Sequence, residues 1–242
     1  MKGIILAGGT GTRLYPLTKV TNKHLLPIGK EPMIYHCIKQ FVSADITSVL
    51  IVTSKEHMGD VVNLLGSGKD FGCDLTYKVQ ETAGGIAHAL YLAKDFSNGE
   101  KIAVILGDNV FEYSIKPYKD NFLKQNNGAR VLLKEVGDPE RYGIAALDEQ
   151  HILEIEEKPC NPKTNFAVVG MYFYDNKVFE IIKNLKPSKR GELEITSVNN
   201  AYIELNQLEY DIVKGRWTDA GTFESMIEAN EILFSNNNEI LK

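Results

Sequence analysis

Short unbroken apolar runs alternate with stretches of helical spacing through the first half of the chain. Lys2–Ala7, Ser48–Thr53, Leu75–Val79 and Lys101–Leu106 each carry four to six consecutive strand-forming positions and predict strands. Between them, Pro32–Ala44 places Met33, Ile34, Cys37, Ile38 and Phe41 on one helical face, with Pro32 beside the first turn, where its missing N–H costs nothing. His57–Leu65 and Gly85–Lys94 read as two more helices. Alternation of this kind predicts an α/β fold whose sheet is mostly parallel, with helices on both faces.

The second half is less regular. Arg130–Val136, Gly143–Leu147, Ile152–Glu156, Ala167–Tyr174 and Leu208–Lys214 predict strands, and Val178–Asn184, Glu194–Leu205 and Thr222–Phe234 predict helices. No repeat or low-complexity linker divides the 242 residues, so the expectation is one domain with an extra β-rich region from about residue 140 to 175.

Composition narrows the partners. Hydrophobic residues make up 43% and charged residues 24%, enough for a sizeable core, and the net charge of −5 argues against a surface that binds nucleic acid nonspecifically. A net-acidic protein that binds phosphate must gather its cations locally. No apolar run reaches the roughly 18 residues of a membrane span, and no signal peptide is expected. Cys37, Cys73 and Cys160 are scattered without zinc or disulfide spacing, which predicts reduced thiols and a cytoplasmic protein.

The richest chemistry follows the first strand, in Leu6-Ala7-Gly8-Gly9-Thr10-Gly11-Thr12-Arg13. Three glycines in four positions let backbone N–H groups converge on an anion. Arg13 adds a permanent charge with forked donors. The stretch is not a P-loop, because Gly11 is followed by Thr12-Arg13 rather than Lys-Ser/Thr, and not a dinucleotide fingerprint, because Leu14 stands where the third glycine belongs. A phosphate cradle and a ligand-free glycine turn both remain open from the loop alone.

Other candidates lie at strand ends, where ligands of open parallel sheets sit. Asp108 follows the run Ile102–Leu106, and Asp219 follows Leu208–Lys214. Two carboxylates beside a polyphosphate suit Mg²⁺, although each Asp could equally fill a turn, and Asp219 could cap the last helix. Lys23 offers a second phosphate contact or a solvated lysine. Lys158, preceding Pro159, is expected in extended backbone. The five histidines make no metal-ligand pair, and no nucleophile elbow or Cys/His couple is present.

Taken together, Leu6–Pro16, Asn22-Lys23-His24-Leu25-Leu26-Pro27, Tyr77-Lys78-Val79-Gln80, Leu106-Gly107-Asp108-Asn109, Asp138-Pro139-Glu140-Arg141-Tyr142-Gly143, Glu156-Glu157-Lys158-Pro159, Arg190–Thr196 and Trp217-Thr218-Asp219-Ala220-Gly221-Thr222 resemble the sugar nucleotidyltransferase family, and within it the thymidylyl-transferring branch. The resemblance implies a Rossmann-like three-layer α/β/α nucleotide-diphospho-sugar transferase fold with a mixed, mostly parallel sheet and a small β-rich sugar-binding region. The nucleotide part would span about residues 1–115 and the sugar-binding part about 116–242. It implies transfer of a thymidylyl group from dTTP to glucose 1-phosphate, giving dTDP-glucose and pyrophosphate, as the first step toward dTDP-rhamnose or another deoxysugar. Transfer from UTP or CTP, or a catalytically silent regulatory role, are the alternatives.

By position, Leu6, Gly8, Gly9, Gly11, Thr12, Arg13, Gln80, Gly85 and Asp108 would hold the nucleotide. Lys23, Asn109, Tyr142, Gly143, Glu157, Lys158 and Val168 would hold the sugar phosphate, and Asp108 and Asp219 would hold Mg²⁺. Arg13, Lys23 and Lys158 would act in catalysis. The resemblance also implies a homo-oligomer. Gly84 and His88 depart from the Asp and Gln of longer members, so the base pocket is expected to differ there.

Overall fold

In a computed structural model, residues 1–148 and 151–237 are described. The chain opens with β1 (Lys2–Ala7), a tight hairpin of β2 (Pro27–Ile28) and β3 (Glu31–Pro32), then α1 (Met33–Ser43), β4 (Ser48–Ser54), α2 (Met58–Leu65) and β5 (Asp74–Gln80). It continues through α3 (Ile86–Tyr91), α4 (Lys94–Ser97), β6 (Ile102–Leu106), β7 (Asn109–Phe111), α5 (Lys116–Lys124), β8 (Ala129–Glu135), β9 (Gly143–Leu147), β10 (Ile152–Glu157) and β11 (Phe166–Tyr174). It ends with α6 (Val178–Lys183), α7 (Ile195–Glu204), β12 (Leu208–Ile212), β13 (Trp217–Asp219) and α8 (Phe223–Asn237). The predicted helix over Gly85–Lys94 is shorter, ending at Tyr91. The helix α5 and the short strands β2, β3, β7 and β13 were not predicted.

These elements gather into two compact units, each built from separate stretches of chain. One comprises Lys2–Ala83, Ile105–Lys116 and Lys214–Lys242; the other comprises Met1, Gly84–Val104 and Pro117–Val213.

In the first unit, β1, β4 and β5 pair in parallel, with Ala7 opposite Thr53 and Ser54 opposite Gln80. The three carboxyl ends are therefore level. Ile4, Ile5 and Val49 through Val52 are almost wholly buried, as the apolar runs require. The predicted face of α1 is buried in full. It lies so close to β1 that a Cβ on Gly3 would sit 2.8 Å from the Phe41 ring, which accounts for a glycine within a buried strand. A second cluster joins Ile28, Met33, Val110, Ala220, Ala229 and Ile232, and so fixes α8 to the β7–β13 pair.

In the second unit, β8 pairs antiparallel with β11 and parallel with β12, while β9 pairs antiparallel with β10 and β11. The side chain of Asn200 on α7 both accepts from Ile155 N–H (2.9 Å) and donates to the Ile155 carbonyl (2.8 Å), clamping the helix to β10. The β-rich region expected from about residue 140 to 175 is the β9–β10–β11 sheet.

Candidate active site

The glycine loop leaves β1 at the level carboxyl ends. Its first carbonyl, that of Ala7, accepts from Asn22 Nδ2 (3.2 Å) and from Thr53 Oγ1 (3.1 Å), so the loop starts from a fixed point. Gly8 packs against Gln80, whose Oε1 lies 2.6 Å from where a Cβ on Gly8 would be. Gly11 has φ +65° and leaves no space for a Cβ, which would meet the Thr18 methyl at 2.7 Å. Its carbonyl accepts from Thr18 Oγ1 (2.8 Å) and from Leu14 N–H (2.9 Å). Leu14 is fully buried and anchors the turn, while Thr12 and Arg13 face outward.

Lys23 runs beside this loop. Its Cε lies 3.5 Å, and its Nζ 3.7 Å, from where a Cβ on Gly9 would be. The ammonium forms an ion pair with Asp108 Oδ2, and both side chains are about nine-tenths buried. The other oxygen, Oδ1, accepts from Asn109 Nδ2 (3.0 Å), and Asn109 Oδ1 accepts from the indole N–H of Trp217 (2.7 Å). Asn109 is thus buried and committed at both ends to orienting Asp108. Burial would raise the Asp108 carboxyl, but the Lys23 charge and the hydrogen bonds from Lys23 and Asn109 outweigh it and hold it well below the usual carboxylate range.

His24 closes the same corner. Its Nδ1 lies 2.6 Å from Asn22 Oδ1, an acceptor only, so Nδ1 carries the proton. Burial first, and the Lys23 charge second, lower its pKa to about 3, and the ring is neutral. Gly107 admits it, because a Cβ there would lie 2.6 Å from His24 Cδ2.

Asp219 stands beside Asp108. It is the ladder partner of Asn109, and the N–H of Ala220 donates to the Asp108 carbonyl (2.7 Å). It is not the cap of α8, because Thr222 and Ser225 exchange side-chain and backbone hydrogen bonds in that role. Arg13 and Asp219 both flank Gly221, where a Cβ would lie 2.7 Å from Arg13 Nη2 and 3.6 Å from Asp219 Oδ2. Among the described residues no cluster of three or more His, Cys, Asp or Glu could enclose a metal. Asp108 and Asp219, on neighbouring stretches of backbone, instead offer the hard oxygens suited to a cation that draws its remaining ligands from phosphate and water.

Of the residues expected to hold the sugar phosphate, Lys23 and Asn109 belong to the unit already described, and Tyr142, Gly143, Glu157, Lys158 and Val168 belong to the other. Glu157 is the ladder partner of Gly143. Its Oε2 accepts from Thr196 Oγ1 at 2.5 Å, and a Cβ on Gly143 would lie 3.2 Å from that hydroxyl. Arg190 Nη2 approaches Glu157 Oε1 at 3.6 Å and is held by Glu194 at 2.9 Å. Tyr142 carries the Arg141 guanidinium over its ring, 5.1 Å from the centroid, and Val168 is buried in β11.

Lys158 differs from expectation. Its φ is +48°, left-handed rather than extended. The Glu157–Gly143 pair is the last of its ladder, and the Lys158 N–H turns back onto the Tyr142 carbonyl (2.9 Å), which ends the strand and forces the turn onto a residue that follows it. Such a conformation costs a non-glycine residue about 1–2 kcal/mol. Strained positions of this kind concentrate at functional sites.

Gly85, with φ +95°, packs against the Leu193 carbonyl, 2.6 Å from where its Cβ would be. The Gly84 carbonyl accepts from Leu193 N–H (2.8 Å). His88 Nδ1 lies 2.7 Å from the Cβ position of Gly84, so these two residues share one space. Thr196 and Trp217 were not singled out in the sequence. Both fall within the matched segments, but neither sits in a periodic pattern that marks it.

A glycine loop at level strand ends, backed by a lysine ion-paired to one aspartate and by a second aspartate on the neighbouring backbone, defines a phosphate-handling α/β protein. The chain belongs to the nucleotidyl transferase family, whose model matches residues 2–236. It is 45% identical over 240 residues to the glucose-1-phosphate thymidylyltransferase of Neisseria gonorrhoeae, covering 95% of this chain and 81% of the relative. It is 38% identical over 239 residues to the enzyme of that name from Mycobacterium tuberculosis, covering 96% and 82%. A solved structure described as a glucose-1-phosphate thymidylyltransferase from Bacillus anthracis, in complex with a sucrose, superposes with a TM-score of 0.93 at 58% identity, over 96% of this chain and 94% of that one. A UDP-glucose pyrophosphorylase complexed with UDP-glucose superposes with a TM-score of 0.85 at 27% identity, over 97% and 98%.

Proposed function

We propose that this chain transfers the thymidylyl group of dTTP to glucose 1-phosphate, giving dTDP-glucose and pyrophosphate. The observation that carries the reading is the Lys23–Asp108 pair at the edge of the glycine loop, with Asp219 on the neighbouring strand. The thymidylyltransferases among its relatives supply the substrates.

The chemistry suits the residues. The nucleophile is a phosphate monoester with a second pKa near 6, mostly dianionic at neutral pH, so no general base is needed. The buried Cys37 thiol, which desolvation pushes up, and the neutral His24 make no nucleophile and base couple. The difficulty is bringing two polyanions together in line. The loop N–H groups and Arg13 bind the triphosphate and stabilise charge on the departing pyrophosphate. Lys23 orients the phosphates beside the reacting centre. Gln80 and Gly85 read the base. Glu157 and Thr196 bind sugar hydroxyls, with Tyr142, Gly143 and Val168 lining the sugar, and Lys158 binds and aims its phosphate. Asp108 and Asp219 would hold Mg²⁺, which when bound neutralises charge on the triphosphate oxygens. The reading carries with it a homo-oligomer in the cytoplasm.

The Gly84–His88 contact favours one second reading, a relaxed choice between dTTP and UTP. Pyrophosphate release with glucose 1-phosphate and each of dTTP, UTP and CTP tests both. The expected order is dTTP first, then UTP. A preference for CTP would overturn the base assignment, and no release with any nucleotide would overturn the reaction.

A further inference from the structure

We propose that Lys23 is a built-in counter-cation that keeps a divalent metal off Asp108 until a nucleotide arrives, so that metal and triphosphate bind together rather than in succession. The inference deepens the proposed function and rests on its placement of the nucleotide at the glycine loop.

Both oxygens of Asp108 are engaged by the chain itself. Oδ2 is held by the Lys23 ammonium and Oδ1 by Asn109 Nδ2 at 3.0 Å, with Asn109 fixed in turn by Trp217 at 2.7 Å. The pair is nearly sealed from solvent, with each side chain 11% exposed. A metal arriving alone must displace the ammonium and leave it buried without a counter-charge, which is strongly unfavourable. Asp219 offers no easier entry, because it shares the space around Gly221 with the Arg13 guanidinium.

A triphosphate removes the obstacle. The Lys23 ammonium already lies 3.7 Å from the Cβ position of Gly9, at the edge of the loop. A polyphosphate on the loop gives it an anion within a small side-chain rotation and frees Oδ2. The Lys23 Cε lies 3.5 Å from the same Gly9 position, so the stem already runs beside the loop. Lys23 therefore has two partners in turn, and the exchange between them couples metal entry to nucleotide entry.

The probe is Mn²⁺, followed by loss of its free electron paramagnetic resonance signal, with protein and no nucleotide. Wild type is expected to bind Mn²⁺ weakly. Lys23→Met and Lys23→Gln should each bind it about tenfold more tightly or better, because the competing cation is gone. Adding Asp108→Asn to either should abolish the gain. Lys23→Gln keeps a donor for Asp108 and decides the matter if Lys23→Met fails to fold by circular dichroism. Equal affinity in wild type and variant would overturn the proposal, as would a gain that survives Asp108→Asn. The proposed function fails separately, as absence of pyrophosphate release by the wild type from dTTP and glucose 1-phosphate in the presence of Mg²⁺, an outcome independent of the Mn²⁺ titrations.

Discussion

The indole N–H of Trp217 donates to Asn109 Oδ1 at 2.7 Å, and through Asn109 it sets the direction of the Asp108 carboxylate. In the β7–β13 pair Trp217 is the partner of Phe111 and Asp219 the partner of Asn109, so this bond runs diagonally across the ladder. The ladder therefore carries Asp219 at its last pair, and Asp108 immediately precedes it.

Trp217→Phe removes that donor while keeping a ring in the buried position. It is expected to lower stability by about 1–3 kcal/mol, measured by urea denaturation, because Asn109 Oδ1 loses its donor. Turnover should fall by about ten- to a hundredfold, the range seen when a residue orienting a metal ligand is lost. Lost stability with unchanged turnover would show that Asn109 holds Asp108 without Trp217.

Thr196→Val deletes the hydroxyl that donates to Glu157 at 2.5 Å and preserves shape. KM for glucose 1-phosphate should rise by about tenfold while KM for dTTP stays within about twofold, since the lost contact lies on the sugar side. A matching rise for both substrates would remove Thr196 from sugar binding.

Gly11→Ala should weaken dTTP binding by about tenfold or more and destabilise the fold by about 1–2 kcal/mol, because it puts a Cβ at φ +65° and 2.7 Å from the Thr18 methyl. Gly59→Ala is the control. Gly59 lies in α2 with nothing within 4 Å of its Cβ position, so the change should be neutral or stabilise by up to about 1 kcal/mol. Binding calorimetry and thermal melts of both variants separate loop geometry from a general effect of alanine.

Stability should fall with pH in a manner traceable to His24. Its folded pKa of about 3 lies below the unfolded value of 6.5, so between these pH values the unfolded chain takes up a proton that the folded protein refuses. That costs up to about 1.4 kcal/mol per pH unit. His36, also lowered by burial, acts in the same direction. Asp108 adds its own loss only at lower pH, as its carboxyl is protonated first in the unfolded chain. The measurement is the difference in slope between wild type and His24→Gln from pH 6.5 to 4.5. Parallel slopes would contradict a neutral, buried His24.

Much of the fold was legible because the core strands are long apolar runs and α1 carries a full buried face. The elements that escaped are those without a period to read. β7 and β13 are three residues each, and β13 lies in a stretch bounded by Gly215 and Gly221 that resembles a connecting loop. α5 carries only Tyr118 and Phe122 as a buried apolar pair along nine mostly polar residues. At the site, the glycine loop and both Asp residues were visible as strand-end chemistry. The Lys23–Asp108 pair and the Trp217–Asn109 relay were not, because they join residues 85 and 108 positions apart. Lys158 was misread because the rule for residues before proline describes local sterics, and here a tertiary hydrogen bond to Tyr142 overrides it.

The central claim is direct attack of the sugar phosphate on the α-phosphorus without a protein nucleophile. Exchange of radiolabelled pyrophosphate into dTTP, with and without the sugar, tests it most directly. Label should enter dTTP only when glucose 1-phosphate or dTDP-glucose is present. Exchange in the absence of any sugar would require a thymidylyl group held covalently by the protein and would contradict it.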